Sequence, residues 1–272
     1  MYTVLDILQK HGIVINMKIS SKDKKILIFA DPHQEIDKVD DILKHEAADI
    51  NICLGDWFDS FYKDYDSDYK ATADYLLKYL NKKNSYTLFG NHDVHYLFNS
   101  DVAKCSGYED RKYSAIDEVL GRYRTTIQNH FKWYCVIDDY LCTHAGLHPS
   151  YIPPTAKNND DIINYIDSQC EQATLAARTN DYHWFFKAGR ARGGFARYGG
   201  TVWLDFDREF QPIEDLRQIV GHTYRRSGTI EQHHTEGFSN LIEANNLCID
   251  CNVNQWLTIT NGKIEIKSYR DL

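Results

Sequence analysis

Five short polar blocks lie along the chain in a fixed order: Asp31-Pro32-His33, Gly55-Asp56-Trp57-Phe58-Asp59, Gly90-Asn91-His92-Asp93, Thr143-His144-Ala145-Gly146 and Gly221-His222. Together they offer carboxylates, imidazoles and one carboxamide, the donors that suit borderline divalent metals. Asp31 and His33 alternate in an extended segment, so both can turn toward one cation. The two oxygens of Asp56 can bridge two cations, Asn91 supplies a carbonyl oxygen, and His144 and His222 supply imidazole nitrogens. This assigns Asp31, His33 and Asp56 to a first metal and Asp56, Asn91, His144 and His222 to a second. Two carboxylates against two divalent ions leave roughly +2 of charge, which suits a hydroxide and a phosphate dianion. Ions about 3.5–4 Å apart would lower the pKa of a shared water and neutralise phosphoryl oxygens. The expected chemistry is attack of a di-metal-bound hydroxide on a phosphoester, with no protein nucleophile. Manganese is the first expectation for both ions, with iron, zinc or nickel as alternatives; calcium is disfavoured.

His92 is left over once the ligands are counted. Its place beside Asn91 puts an imidazole at the metal rim, where it can protonate the leaving alkoxide, a contribution on the order of 100- to 10,000-fold. Asp59, three residues beyond Asp56, is expected to orient His92 and stabilise its protonated form, with Asp93 as the competitor for that role.

Such a ligand set works only if rigid elements deliver it to one place. Each block follows an apolar run: Lys25 to Ala30, Ile50 to Leu54, Tyr86 to Phe89, Tyr140 to Cys142 and Leu216 to Val220. Short runs of Ile, Leu, Val and aromatics that end at Gly, Asp or Asn read as buried strands running into loops. In α/β sheets ligands bind at the carboxyl edge of the strands, so all five edges should meet in one crevice. Residues 37–45 and 71–81 read as helices between the first three strands, and residues 3–13 as a leading helix. Residues 63–70 read as a solvated loop or first helical turn. Residues 135–142 look like a hairpin turning at Asp138-Asp139, and Asn261-Gly262 turns a second hairpin in the tail. Residues 158–179 read as one or two helices that, with the Arg/Gly-rich loop after them, form a cap over the metals.

The order and content of the blocks resemble the calcineurin-like metallophosphoesterase superfamily, whose pattern runs DxH, GDxxD, GNH[ED], H-small-small and GHx. The resemblance covers about Asp31 to Thr223. Singly, each block is a turn or a core histidine; five in order are a strong signal. The family's ligand roles fall on Asp31, His33, Asp56, Asn91, His144 and His222, and its proton donor on His92. It implies an α/β fold, a two-sheet β-sandwich flanked by helices, in one domain over residues 1–272 with a cap insertion at about 150–200. Thr201-Val202-Trp203-Leu204-Asp205-Phe206-Asp207 is similar to the tryptophan-aspartate segment of the bacterial and phage Ser/Thr protein phosphatase and diadenosine tetraphosphatase branch. Two departures stand out. Asp59 is followed by Ser60 where that branch carries a phosphate-holding arginine, and Gly221-His222-Thr223-Tyr224 lacks the second histidine of many phosphodiesterases. The second departure favours the phosphatase branch. For the first, Arg192, in the Arg/Gly-rich residues 189–200 before the strand-like residues 201–204, and Arg208 are the candidate phosphate-holding cations.

Composition bounds the rest. The chain has 272 residues, 43% hydrophobic and 26% charged, which is enough for one large globular domain with a sizeable core. The blocks are spread through it and must share one site, so no domain boundary separates them. A net charge of −8 disfavours general nucleic-acid binding but not a nucleotide substrate. Seven cysteines do not make a disulfide scaffold at this length; Cys53, Cys135 and Cys142 read as core residues, and Cys248 and Cys251, spaced as CxxC, as structural. No leader, lipidation signal or long apolar run is evident, so a soluble cytoplasmic protein without a membrane partner is expected. The partner is a phosphorylated substrate: phosphoserine or phosphothreonine in protein first, a nucleotide or dinucleoside polyphosphate (or a phosphodiester) second. A catalytically silent binding scaffold is the reading from another class; it predicts missing ligands, and none of the six is missing.

Overall fold

A computed structural model of the chain describes residues 17–225, 230–233 and 246–272. The helix expected over residues 3–13 lies outside them. The described strands are β1 (Lys18–Ile19), β2 (Lys25–Phe29), β3 (Ile50–Cys53), β4 (Ser85–Leu88), β5 (Phe131–Lys132), β6 (Cys135–Ile137), β7 (Tyr140–Cys142), β8 (Arg217–Val220), β9 (Glu231–His233), β10 (Asn246–Cys248), β11 (Gln255–Thr260) and β12 (Lys263–Ser268). The helices are α1 (Ile36–Glu46), α2 (Asp66–Asn81), α3 (Asn91–Phe98), α4 (Asp110–Leu120), α5 (Arg124–His130) and α6 (Asn159–Thr179). One sheet has the order β12-β11-β2-β3-β4-β5, the other β1-β6-β7-β8-β10-β9. From β2 to β5 neighbours are parallel, as are β7, β8 and β10.

The sandwich follows from strands that are apolar on both faces, as parallel strands between two layers must be. In β2, Ile26 and Ile28 enter the core between the sheets with Ile50, Ile52, Cys135, Cys142 and Ile219. Leu27 and Phe29 point the other way, into the core under the helices, with Val39, Ile42, Ala73 and Leu76. The helices expected over residues 37–45 and 71–81 are α1 and α2, with Asp66 to Lys70 forming the first turn of α2. Both expected hairpins form. Asp138 takes a left-handed φ of 51° at the turn between β6 and β7, and Asn261 and Gly262 (φ 49° and 74°) close β11 on β12. The seven cysteines are free thiols.

One expectation is corrected. Residues 201–204 do not form a strand: the amides of Trp203 and Leu204 fold back on the Gly200 carbonyl, making a turn that still buries Val202 and Leu204. The helix after residue 158 is one helix, α6. Trp133 Nε1 donates to Thr174 Oγ1 at 2.9 Å, Tyr134 Oη to Asp167 at 3.0 Å, and Arg178 reaches Gln128 on α5, so α6 lies along the helical flank.

A buried amide staple ties two of the site loops. Gln218 on β8 accepts from Leu147 N at 2.8 Å and donates to Leu147 O at 3.2 Å, standing in for a backbone pairing. Gln218→Leu leaves both Leu147 groups unsatisfied in a dry core. It should cost about 2–5 kcal/mol of stability, read as a lowered urea midpoint; an unchanged midpoint would show that the staple contributes nothing.

Candidate metal centre

The five polar blocks sit at the carboxyl ends of β2, β3, β4, β7 and β8, and adjacent parallel strands bring those ends together. Leaving the strands so abruptly strains the backbone. Asp31 (φ 52°), His33 (42°), Asp56 (61°), Asp59 (63°) and His222 (66°) all occupy the left-handed region, which non-glycine residues rarely adopt. Each such residue costs on the order of 1 kcal/mol or more, and the surrounding hydrogen bonds hold it there. The amides of Asp31, His33 and Gln34 donate to the carbonyls of Gly55, Asp56 and Trp57, zipping the first loop to the second. The block glycines are there for close approach. A Cβ at Gly90 would lie 2.0 Å from Asp56 Oδ1, and one at Gly221 2.2 Å from Asp31 Oδ2.

Around Asp56 acceptors face acceptors. His33 Nδ1 donates to the Phe58 carbonyl at 2.8 Å and His144 Nδ1 to the Leu54 carbonyl at 2.9 Å, which fixes both tautomers and leaves each Nε2 as a lone pair. Those lone pairs lie 3.8 Å (His33) and 3.3 Å (His144) from Asp56 Oδ2, and Asn91 Oδ1 lies 3.1 Å from His144 Nε2. His222 Nε2 is buried and has no hydrogen-bond partner among the described residues. Asp31, His33 and Asp56 form one cluster able to hold a metal ion, and Asp56, His144 and His222 another, with Asp56 common to both. Asp31 and Asp56 are buried (0% and 2% exposed), and no lysine or arginine pairs with either among the described residues. Lone pairs converging on buried carboxylates repel one another unless cations lie between them, so the residues fit a two-metal site.

The titration tendencies show what the absent charge does: burial lowers His144 but the Asp56 carboxylate raises it, so a proton stands on that ring where a cation would otherwise sit. Burial, reinforced by Asp250 and Asp56, pushes the Asp31 carboxyl well up. Burial opposes ionisation of Asp56 too, but the charges of His144 and His92 hold it well below the usual range. Burial lowers His33, and lowers His222 further with help from the Arg192 charge, keeping both imidazoles neutral as ligands must be. Asp250 was not singled out from the sequence. It ends the apolar residues 247–249 after β10, the same strand-then-carboxylate pattern as the five blocks, and that was the signal available.

His92 sits on the first turn of α3. Its backbone amide donates to Asp56 Oδ1 at 2.9 Å, and its Nδ1 lies 2.7 Å from Asp59 Oδ2. Burial works against the charge on His92, but Asp56, Cys105 and Asp59 raise it well above an ordinary histidine. Asp59 also accepts from Tyr96 Oη at 2.8 Å and Tyr69 Oη at 3.3 Å. Asp93 does not compete for His92. Its carboxylate accepts the backbone amides of Asp56 (2.8 Å), Trp57 (2.9 Å) and Gly90 (3.0 Å), clamping the second loop to the third. His95 and Cys105, which the sequence reading passed over, complete the shell around Asp59. The signal for His95 was its i+3 spacing from His92 on one helix; Cys105 comes from a loop that no spacing connects to the site.

The two arginines part company. Arg192 reaches the centre, with Nε 2.8 Å from Asp205 Oδ2 and an Nη2 that donates to the His222 carbonyl at 3.3 Å and Thr223 Oγ1 at 3.0 Å. Its loop is built on Glu209, which accepts from the amides of Ala191 (2.9 Å) and Gly199 (2.8 Å). Arg208 has a side chain 67% exposed and, among the described residues, meets Asp205 at 3.4 Å, through the same Oδ2 that Arg192 contacts.

No helix among the described residues is long and apolar enough to cross a membrane. Comparison with curated protein sequences gives no match. Among solved structures, the chain is similar to the cold-active protein-tyrosine phosphatase of a psychrophilic Shewanella species, at 15% identity and a TM-score of 0.57 over 96% of this chain and 83% of that one. It is also similar to a protein serine/threonine phosphatase from Saccharomyces cerevisiae, at 16% identity and a TM-score of 0.54 over 97% and 88%. At these identities the likeness is one of fold. The family model for calcineurin-like phosphoesterases matches residues 24–226, most of the length, and the chain therefore belongs to that family of metal-dependent phosphoester hydrolases.

Proposed function

We propose that the protein is a phosphomonoesterase working with two divalent metals, manganese first among them, and that phosphoserine and phosphothreonine side chains are its first class of substrate. The observation that carries the monoester reading is Arg192. Its guanidinium stands beside His222, and its Nη1 meets no acceptor among the described residues, which suits it to bind an oxygen of a phosphate dianion. A diester has one negative charge fewer and gains less from that contact. Asp31, His33 and Asp56 would hold one ion and Asp56, Asn91, His144 and His222 the other. When bound, the pair supplies an activated water and neutralises the phosphoryl oxygens.

The chain's own contribution is to orient the phosphate and move one proton. Because His92 Nδ1 is engaged by Asp59, the transferable proton sits on Nε2, from which it passes to the leaving oxygen as the phosphorus–oxygen bond breaks. Asp59 keeps its charge despite burial, since His92 and His95 hold it well below the usual carboxylate range, and so it stabilises the imidazolium before transfer. Lys112 Nζ, 3.5 Å away, adds to that bias.

A nucleotide or dinucleoside polyphosphate is the second reading. Phe61 is 85% exposed with its ring 6.0 Å from that of His33, a rim position from which it could stack a base. Faster turnover of a dinucleoside polyphosphate than of phosphopeptides would select this reading.

His92→Asn should lower turnover of phosphopeptides by about 100-fold or more while costing far less on p-nitrophenyl phosphate, whose leaving group needs little protonation. Equal losses on both would remove the proton-donor role. The wild type should hydrolyse p-nitrophenyl phosphate faster than bis-p-nitrophenyl phosphate, and Arg192→Ala should lower kcat/KM for the monoester by about 10- to 100-fold with a much smaller effect on the diester. Preference for the diester would defeat the phosphomonoesterase reading.

A further inference from the structure

Behind His92, on the side away from the ligands around Asp56, four metal-ligating side chains converge: Asp59, His92, His95 and Cys105. Asp59 Oδ2 lies 2.7 Å from His92 Nδ1 and 3.2 Å from His95 Nε2. The Cys105 sulfur lies 3.7 Å from His92 Nδ1 and 3.3 Å from His95 Nδ1. None of these four belongs to the ligand set around Asp56, and the hydrogen bond to Asp59 that proton donation needs does not require a thiol.

The set has the chemistry of a zinc site. One carboxylate, two imidazoles and one thiolate are a tetrahedral O, N, N, S donor set, and bonds of about 2.0–2.3 Å put such donors roughly 3.3–3.8 Å apart. Taking one donor atom per residue, all four lie within 4.8 Å of one another, and an ion would need Asp59 and His92 to part by about half an ångström or more. Room exists because residue 107 is glycine: a Cβ there would lie 2.6 Å from Asp59 Oδ2 and 3.0 Å from His92 Cε1. Cys105 and His92 are part-exposed while Asp59 and His95 are buried, which gives an ion a way in from solvent. The other oxygen of Asp59 is held by Tyr96 and Tyr69, leaving Oδ2 for a metal. Lys112 Nζ opposes a cation, but its charge is shared with Asp64 (3.3 Å) and Glu109 (3.1 Å).

We propose that Asp59, His92, His95 and Cys105 form a third, inhibitory metal site selective for zinc, separate from the metal pair held around Asp56. Binding displaces the Nδ1 proton of His92 to solvent and puts the metal in its place. The ring then keeps its Nε2 proton as a neutral imidazole, a far weaker acid than imidazolium, and protonation of the leaving group fails. The inhibition rests on the proton-donor role argued above; the metal binding does not.

Cobalt(II) separates the two parts, because no ligand around Asp56 is a sulfur. Titrating the full chain with cobalt should produce a thiolate-to-cobalt charge-transfer absorption in the near ultraviolet that is absent from Cys105→Ser, whether or not the enzyme turns over. Elemental analysis should find three equivalents in the wild type and two in the variant. With manganese in excess, added zinc should inhibit wild-type hydrolysis of phosphopeptides more than that of p-nitrophenyl phosphate, and Cys105→Ser should need at least about tenfold more zinc relative to its own zinc-free rate. Circular dichroism, with Cys105→Ala as a second variant, shows that the fold is kept. No sulfur-based absorption in the wild type, or one that persists without Cys105, overturns the site. Absorption that depends on Cys105 without preferential loss on phosphopeptides overturns the inhibitory role.

Discussion

A single buried carboxylate organises this protein. Asp56 is 2% exposed, its backbone is held in a left-handed conformation, and its two oxygens face groups from three other strand ends: the backbone amide of His92, the Nε2 lone pair of His33 and that of His144. An uncompensated carboxylate in that position would be costly. The structure pays with shape: Asp93 fixes the Asp56 loop through three backbone amides, and Gly90 leaves room for the carboxylate. What this frame does not supply is positive charge, which the two cation-holding clusters that share Asp56 would draw from bound metal. Ions held there would offset the burial of Asp31 and Asp56 and so link stability to the chemistry proposed above.

Around that centre the residues fall into layers with distinct work. Backbone carbonyls of Leu54 and Phe58 set the histidine tautomers, so the ligands are preorganised before any metal arrives. Asp59 holds the His92 imidazole, and Arg192, braced by Asp205, stands beside His222. The Arg/Gly-rich loop reaches the His222 carbonyl through Arg192, while α6 is hydrogen-bonded to Trp133, Tyr134 and Gln128.

Much of this was legible in the sequence because each strand announces itself by an apolar run and each site residue by the abrupt polar step that follows. The six candidate ligands, His92 and Asp59 all follow that pattern, and the structure brings them near one another. Asp250 obeys the same rule at the end of residues 247–249, but no flanking motif marks it. Other features depend on geometry that one dimension does not carry. Residues 201–204 have a strand's composition, yet Gly200 gathers their amides into a turn. Arg192 and Arg208 looked equivalent by composition; the path of the loop around Glu209 and the turn at Asp205 separate them. Cys105 reaches Asp59 and His92 only because its loop folds back over α3.

The most direct test of the account is the metal content of the purified protein and of Asp56→Asn after equilibration with manganese and removal of loosely bound ions. If Asp56 bridges, the wild type retains two ions per chain, and the variant loses affinity for both together. A wild type that holds one ion, or a variant that keeps two at unchanged affinity, would contradict it.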